Sequence, residues 1–318
     1  MSDESKSKKK KVIIADTPAE EQELIRRKLG HYTTVATTRD WLNTGSRRLN
    51  ATLGSRELGI PYGKMLELHG WESHGKTLLM TFLMARAQKD GATVGLLDAE
   101  NAYDPEWAKR MGLDTDRVYL FQPRVGRFSQ SRGESGERLQ TAEELCAEVE
   151  AWMDNESRKN PGGKVFLGVD SVTAFLPRDE AEAGLENQNM STKVGLAKFM
   201  KQLLRRWTAV ALTNNVMMVF INQLMMRPGV SFGNPEATAG GNALKFFCAV
   251  RAKVHRVKGG RMIKSGAVVG VKAVVTNVKN KAGGASVEGK TCGFKYYFDS
   301  GSWRFVSAED LRREAAEK

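Results

Sequence analysis

A chain of 318 residues with 41% hydrophobic and 27% charged side chains can bury one large core and a small accessory one, which excludes a disordered polymer or a stapled miniature. Cys146, Cys248 and Cys292 are far apart and form no CxxC pair, so neither a disulfide framework nor a zinc site is indicated, and a reducing compartment is expected. The net charge is +12, and residues 190–300 hold eighteen Lys or Arg against three Asp or Glu; a polyanionic partner or a heavily solvated surface accounts for this excess.

Residues 1–11, with Lys6 and the lysine run at 8–11, read as a disordered basic tail. The apolar stretch that follows at 12–15 is too short for a signal peptide. The longest apolar run, at 216–221, falls far below the roughly 20 residues that span a bilayer. A soluble, cytoplasmic chain with no membrane partner is expected. Thr17-Pro18-Ala19-Glu20 has the form of a capping box with proline at the first helical position, and Gly30 closes that helix.

From Met65 the pattern becomes strand, loop, helix, repeated. A strand at 65–68 precedes a helix over Lys76–Lys89, and a strand at 93–97 precedes a helix at 105–111. Further strands are expected at Val118–Phe121, 165–169 and 216–221, with helices at 142–155 and 192–212. This alternation predicts an α/β core with a mostly parallel, twisted sheet flanked by helices. Past Asn242 come strands with glycine turns, at 249–257, 268–278 and 292–298, which extend the sheet by antiparallel pairing. After Trp303 a short tail helix is expected, with Ser307 as its cap. The core is taken as residues 56–303 and the tail as 304–318.

Gly70-Trp71-Glu72-Ser73-His74-Gly75-Lys76-Thr77 fits GxxxxGK[ST] between an apolar strand and a helix that continues through Leu78. This is the setting a phosphate loop requires. The glycines let backbone N–H groups turn toward phosphates, Lys76 reaches the outer phosphates, and the Thr77 hydroxyl is a magnesium ligand. A nucleoside triphosphate, taken as ATP, and Mg2+ are therefore the expected ligands. Asp170 ends an apolar strand, as expected of the acidic partner of the metal; strand ends also carry Asp for turn chemistry. The strand at 93–97 leads to Asp98 and Glu100 at the carboxyl edge of the sheet, where ligands sit. Glu100 is the candidate general base, or else a solvated turn acid. Asn222 and Gln223 follow the next apolar strand, placed to sense a γ-phosphate or simply to end it.

Taken in order, the segments GWESHGKT, LLDAENAYDP, FLGVDSVTAFLP, FINQ and FGNPEATAGGNALKF resemble a RecA-type DNA recombinase of the bacterial or phage kind, over roughly residues 42–300. The last segment has no reason to recur in other phosphate-loop ATPases. The resemblance implies that Glu100 activates water, that Lys76 and Thr77 serve phosphate and magnesium, and that Asp170 stands behind the metal. It sets Asp104 and Trp107 at the adenine, Trp107 replacing the usual stacking tyrosine. Gln223 would couple the γ-phosphate to the loop that follows.

That loop, residues 224–242, is rich in glycine and proline and is expected to lack regular structure. By resemblance it is the second DNA-binding loop, with Arg227, Phe232, Asn234, Gly240, Gly241 and Asn242 at the strand. The first DNA loop would occupy residues 180–193. Lys279 and Lys281 match the lysines that reach the ATP of a neighbouring protomer, acting like arginine fingers in trans; on their own they read as solvated strand ends. Residues 12–55 would form the N-terminal oligomerisation element, its helix docking on the adjacent protomer.

Several features depart from the family. Trp71 and His74 replace the usual proline and serine, at positions that contribute backbone; a titrating His74 would make activity pH-sensitive. Polar stretches at 127–137 and near 155–163 lengthen the chain without a function to match. The sequence stops about fifteen residues after Trp303, so control by the family's C-terminal DNA-gathering domain is not expected, and a phage origin is consistent with that. The lysine cluster at the start would supply duplex contacts or solubility.

The resulting expectation is an ATP-dependent recombinase that forms helical filaments on single-stranded DNA, with ATP at the protomer interface, and pairs it with homologous duplex DNA. The rivals are a non-recombining relative in the same superfamily, such as a ring motor or a loader, and a single-strand binder regulated by ATP.

Overall fold

The structure is a computed structural model, which describes residues 40–129, 135–183, 195–226, 236–282 and 289–316. The helix expected between Pro18 and Gly30 and the basic tail lie outside the described residues. Of the element expected over 12–55, the described part lies against the core. Trp41–Leu42 (β1) pairs antiparallel with Ile60–Pro61 (β2), and between them Arg47–Leu53 (α1) is capped by Ser46, whose side chain accepts the Leu49 N–H.

Met65–Gly70 (β3) is buried at every position, as suits a strand covered on both faces. It leads through the phosphate loop into Lys76–Lys89 (α2). Leu78, Leu79, Met80, Phe82, Leu83 and Met84 are all buried, so α2 is encased on nearly all sides. Then follow Thr93–Asp98 (β4), Pro105–Arg110 (α3), Val118–Phe121 (β5), a hairpin of Val125–Ser129 (β6) and Ser135–Leu139 (β7), and Ala142–Lys159 (α4). Thr141 and Glu144 close a reciprocal capping box at the start of α4. Val165–Asp170 (β8), Arg178–Ala183 (α5), Gly195–Thr213 (α6) and Val216–Met226 (β9) complete the parallel part. Beyond it lie Glu236–Thr238 (β10), Ala243–Phe247 (α7), Val250–Lys264 (β11), Ala267–Asn280 (β12), Thr291–Tyr297 (β13), Ser302–Val306 (β14) and Ala308–Ala316 (α8). Ser307 accepts the Asp310 N–H at the start of α8, the cap expected there.

The main sheet runs β14-β13-β12-β11-β3-β9-β8-β4-β5, with β10 on the end of β9. From β11 to β5 all neighbours are parallel; β12, β13 and β14 extend the sheet antiparallel. One face buries Leu79, Leu83, Phe166 and Phe294 beneath α1 and α2. The other buries Leu145, Trp152, Leu204 and Trp207 from α4 and α6. Gly95 is the tightest point on this second face, since a Cβ there would come within 2.5 Å of the Trp152 ring. All three cysteines are buried and unpaired. Among the described residues no helix is long and apolar enough to cross a membrane.

The elements depart from the sequence reading at three places. The segment 224–242 is not irregular throughout: β9 continues through Met226, and β10 pairs back onto it, Glu236 opposite Met226 and Thr238 opposite Leu224. Its prolines and glycines fall at 228–235 and 240–241, so both flanks are free to pair. Of the polar stretch at 127–137, residues 127–129 lie on β6 and 135–137 on β7, paired in register from Val125–Leu139 to Ser129–Ser135; residues 130–134 lie outside the described residues. The start of the segment 180–193, expected to be the first DNA loop, is helical, since α5 takes residues 180–183; residues 184–193 lie outside the described residues.

Candidate active site

The phosphate loop is shaped by backbone conformations that its residues allow. At Gly70 a Cβ would lie 2.1 Å from the Val254 carbonyl of β11, so only glycine lets the two strands close there. Ser73 and Gly75 adopt left-handed conformations, φ 57 and 92, and Gly75 caps α2 without a side-chain bond. The amide groups of the first turn of α2 are thereby left for an anion, with the positive end of the helix behind them. Glu72 and Ser73 are exposed, His74 is half-buried and Leu78 is buried under the loop. Burial, with Arg256, Lys76 and Lys253 adding to it, lowers the His74 pKa.

Lys76 is buried and donates to the Trp71 carbonyl at 2.8 Å. Burial lowers its pKa, while Asp170, Glu100 and Glu72 favour the charged form. Thr77 Oγ1 donates to Asp170 Oδ2 at 2.7 Å. Burial lifts the Asp170 carboxyl to about 6, against the opposing effect of the Thr77 bond. A hydroxyl and a carboxylate paired in this way, both oxygen donors, fit a hard divalent cation. The loop, Lys76 and this pair therefore suit a nucleotide polyphosphate with magnesium.

Glu100 stands across the site, exposed. Its Oε1 accepts the Ser171 hydroxyl, and Gln223 Nε2 lies 3.4 Å from the same oxygen. The turn that presents Glu100 is built by Asp98, which is buried and accepts Ala102 N–H at 3.2 Å, Tyr103 N–H at 2.9 Å and Gln122 Nε2 at 2.8 Å. Of the two carboxylates after β4, Asp98 thus shapes the turn and Glu100 faces the site. Asp104 caps α3 by accepting the Trp107 N–H at 3.0 Å. The Trp107 ring meets Tyr296 and Phe298 edge-on, with centroids 5.7 and 5.0 Å away. Asp104 thus starts α3, and Trp107 holds it against the antiparallel end of the sheet.

Beneath the site lies a buried polar group that the sequence reading missed. Glu67, fully buried on β3, accepts the Arg251 Nε–H and, at 3.0 Å, the Asn222 amide. The same amide donates to the Ala239 carbonyl at 3.1 Å. The network ties the phosphate-loop strand to Ala239, on the far side of the segment 224–242. Next to it His69 is held near a pKa of about 4, chiefly by burial. Ser171 was also missed; its position directly after the strand-ending Asp170 was the available signal.

Gly240 and Gly241 turn with φ 72 and 69 against α6 and Val172, where a Cβ would lie 3.1 Å from Met200 and 3.2 Å from Ala197, respectively. Asn242 begins α7 and is exposed. Arg227, Phe232 and Asn234 lie outside the described residues. Lys279 and Lys281 stand elsewhere: in register, Arg251 is opposite Lys279 and Val250 is beside Leu66, so the two lysines lie at the amino end of β3 and the phosphate loop at its carboxyl end. Lys279 Nζ donates to the Lys245 and Phe246 carbonyls at 2.7 and 3.1 Å, and its pKa is lowered by burial and then by Lys281. Lys281 is exposed, and nearby Phe246 exposes 70% of its surface.

A glycine loop between a central parallel strand and a buried helix, with lysine, hydroxyl and acidic partners converging on it, defines a phosphate-loop nucleotide-binding α/β protein. Within that class the chain belongs to the RecA family. The RecA N-terminal domain matches residues 24–134 and 156–301. The chain is 37% identical over 260 residues to Protein RecA of Rickettsia massiliae, covering 82% of this chain and 66% of that protein. It is 38% identical over 241 residues to Protein RecA of Mannheimia haemolytica, covering 76% of this chain and 57% of that one. The chain thus spans less than two thirds of the length of these relatives.

Proposed function

We propose that this chain is an ATP-dependent recombinase, a DNA-dependent ATPase that assembles head to tail as a helical filament on single-stranded DNA and exchanges strands with a homologous duplex. The observation that carries the reading is Gln223. It contacts Glu100 and, three residues on, its strand enters the neck of the DNA loop. Family membership supports the same reading.

In this account the 70–77 loop binds ATP, Lys76 releases the Trp71 carbonyl to bind phosphate, and Thr77 with Asp170 holds Mg2+. The metal, when bound, supplies charge neutralisation at the phosphates. Glu100, oriented by Ser171, accepts the proton of the attacking water. Gln223 reports the state of the site to the neck. Arg227, Phe232, Asn234, Gly240, Gly241 and Asn242 line the DNA, for which backbone and stacking contacts suffice because pairing supplies specificity. Asp104 and Trp107 flank the adenine.

Lys279 and Lys281 sit too far along the sheet to serve their own loop, which supports a role at a neighbour's nucleotide. A neighbour seated there would also cover Phe246. Such a contact joins two different surfaces, so it does not close a two-fold dimer; it propagates into a helical filament where the rotation between neighbours does not close a ring. Residues 12–39 would complete that contact, and the cytoplasm is the expected location.

Joint-molecule formation tests the proposal. With ATP and magnesium the protein should pair single-stranded circles with homologous linear duplex, and single-stranded DNA should raise hydrolysis. Absence of both effects refutes it. Lys76→Ala should end turnover while leaving the circular-dichroism spectrum unchanged. Closed rings in electron micrographs would point to a motor.

A further inference from the structure

Glu100 stands in a short turn, residues 99–103, whose two halves are fixed differently. On the incoming side the Ala99 N–H donates to the Asp170 carbonyl at 2.7 Å, so the turn starts from the end of β8. On the outgoing side Asn101 is left-handed, φ 54, and the Ala102 and Tyr103 N–H groups donate to the Asp98 carboxylate at 3.2 and 2.9 Å. Asp98 is buried, so its lone pairs must be met within the protein. Two of its three donors belong to the turn and move with it. The third is Gln122 Nε2, at 2.8 Å, from the end of β5. The Asp98 backbone is fixed by β4, but among the described residues only Gln122 sets the direction of its side chain from outside the turn.

Gln122 leads directly into an anchored stem. Two residues on, Arg124 donates to both Glu148 oxygens of α4, at 3.1 and 2.6 Å, and its carbonyl accepts the Gln140 N–H at 2.9 Å. The Gln140 amide also reaches Glu148, at 2.8 Å. The stem of the β6–β7 hairpin is thereby clamped to α4, and the stretch that lengthens the chain at 127–137 grows out of this clamp. Ser171 and Gln223 hold only the tip of Glu100; where its backbone stands depends on the turn.

We propose that Gln122 is a positioning residue for ATP hydrolysis: its amide orients the Asp98 carboxylate and so fixes the turn that aims Glu100 at the attacking water. The inference rests on the reading of Glu100 as the general base. A base must lie within hydrogen-bond reach of the water, and a displacement of about 1 Å can cost about a hundredfold in rate. The 70–77 loop, Thr77 and Asp170 take no bond from Gln122 among the described residues, so phosphate and metal binding do not depend on it.

ATP hydrolysis with saturating poly(dT), and equilibrium binding of a non-hydrolysable ATP analogue, are measured in the wild-type chain, Gln122→Met, Glu100→Gln and the double variant. Methionine keeps an unbranched chain and removes the donor. Gln122→Met should lower kcat about tenfold, with KM and analogue affinity within about twofold of wild type. Glu100→Gln should lower kcat about a hundredfold. Adding Gln122→Met to it should lower kcat no further, because the turn then has no base to aim. A merely structural role would not produce that dependence. If circular dichroism shows Gln122→Met unfolded, Gln122→Asn, one methylene too short to reach Asp98, takes its place.

An unchanged kcat, equal losses in kcat and analogue affinity, or a tenfold loss that persists in the Glu100→Gln background would each overturn the inference. Glu100→Gln turning over as fast as wild type would instead remove the base itself. That failure belongs to the underlying reading and is seen before Gln122 is changed.

Discussion

Arg251→Met removes the only cation bonded to a fully buried carboxylate among the described residues of the central strands. Arg251 is 8% exposed and Glu67 0%; after the change Glu67 keeps the Asn222 amide at 3.0 Å. A hydrogen bond to a charged group contributes about 1.5–3 kcal/mol, and methionine fills only part of the guanidinium's space. Breaking a buried pair by removing one partner costs about 3–5 kcal/mol in total. That range is the expected loss for Arg251→Met. In the double variant with Glu67→Gln the orphaned charge is gone and the Asn222 bond can re-form, so its loss should shrink to about 1–2 kcal/mol. Urea unfolding, without nucleotide or DNA because either would shift the midpoint, measures both. Since Asn222 also holds Ala239, the single variant should lose DNA stimulation along with stability. A single variant within 1 kcal/mol of wild type, taking that as about the size of an ordinary hydrogen bond, or a double variant weaker than the single, would refute the reasoning.

Gly75→Ala should abolish nucleotide binding in a filter assay, since its φ of 92 strains any L residue and the new Cβ would press within 3.3 Å of the Phe294 ring; the conformational cost alone is about 1–2 kcal/mol. Glu144→Gln tests a pH dependence. Bonds from Arg138 first and Thr141 next hold the Glu144 carboxyl at about 2, below its unfolded value, so its contribution is full above the usual carboxylate range and is lost as pH falls through that range toward 2. The variant should be weaker by about 1–2 kcal/mol near neutrality and converge on wild type in acid, as thermal melts at each pH would reveal. Mixing Lys76→Ala with a Lys279→Ala, Lys281→Ala double variant should restore hydrolysis that neither has alone. Equal, random mixing pairs an intact loop with intact lysines at about a quarter of the contacts. No recovery would place the lysines outside the neighbour's site.

What the sequence made legible was set by periodicity and glycine. The helix over Lys76–Lys89 and the strand Val118–Phe121 are found at their expected bounds, because turn residues fence them on both sides. Strand ends were less visible. β9 was expected to stop at Ile221 and runs to Met226, its last residues pairing with β10, a partner ten residues further along the chain. The Glu67–Arg251 pair was hidden for a related reason. Glu67 stands in a largely apolar strand and Arg251 is one of several basic residues of β11, and only the parallel register of β3 and β11 brings the two together. Within the site the loop, Thr77, Asp170 and Glu100 could be read from local motifs. The bond of Ser171 to Glu100 depends on folding and could not.

The placement of Lys279 and Lys281 at the end of the sheet opposite the phosphate loop has a consequence for counting. In the proposed head-to-tail filament of n protomers every loop but one would meet a neighbour's lysines, giving n − 1 complete sites. One terminal protomer would hold nucleotide without the means to turn it over, while the other would offer lysines to no one. The two tips would then age differently: at one an incoming subunit completes the resident's site and leaves its own incomplete, while at the other its own site is complete on arrival. Directional growth and loss would follow from the chain's own asymmetry, before any loading or unloading partner acts.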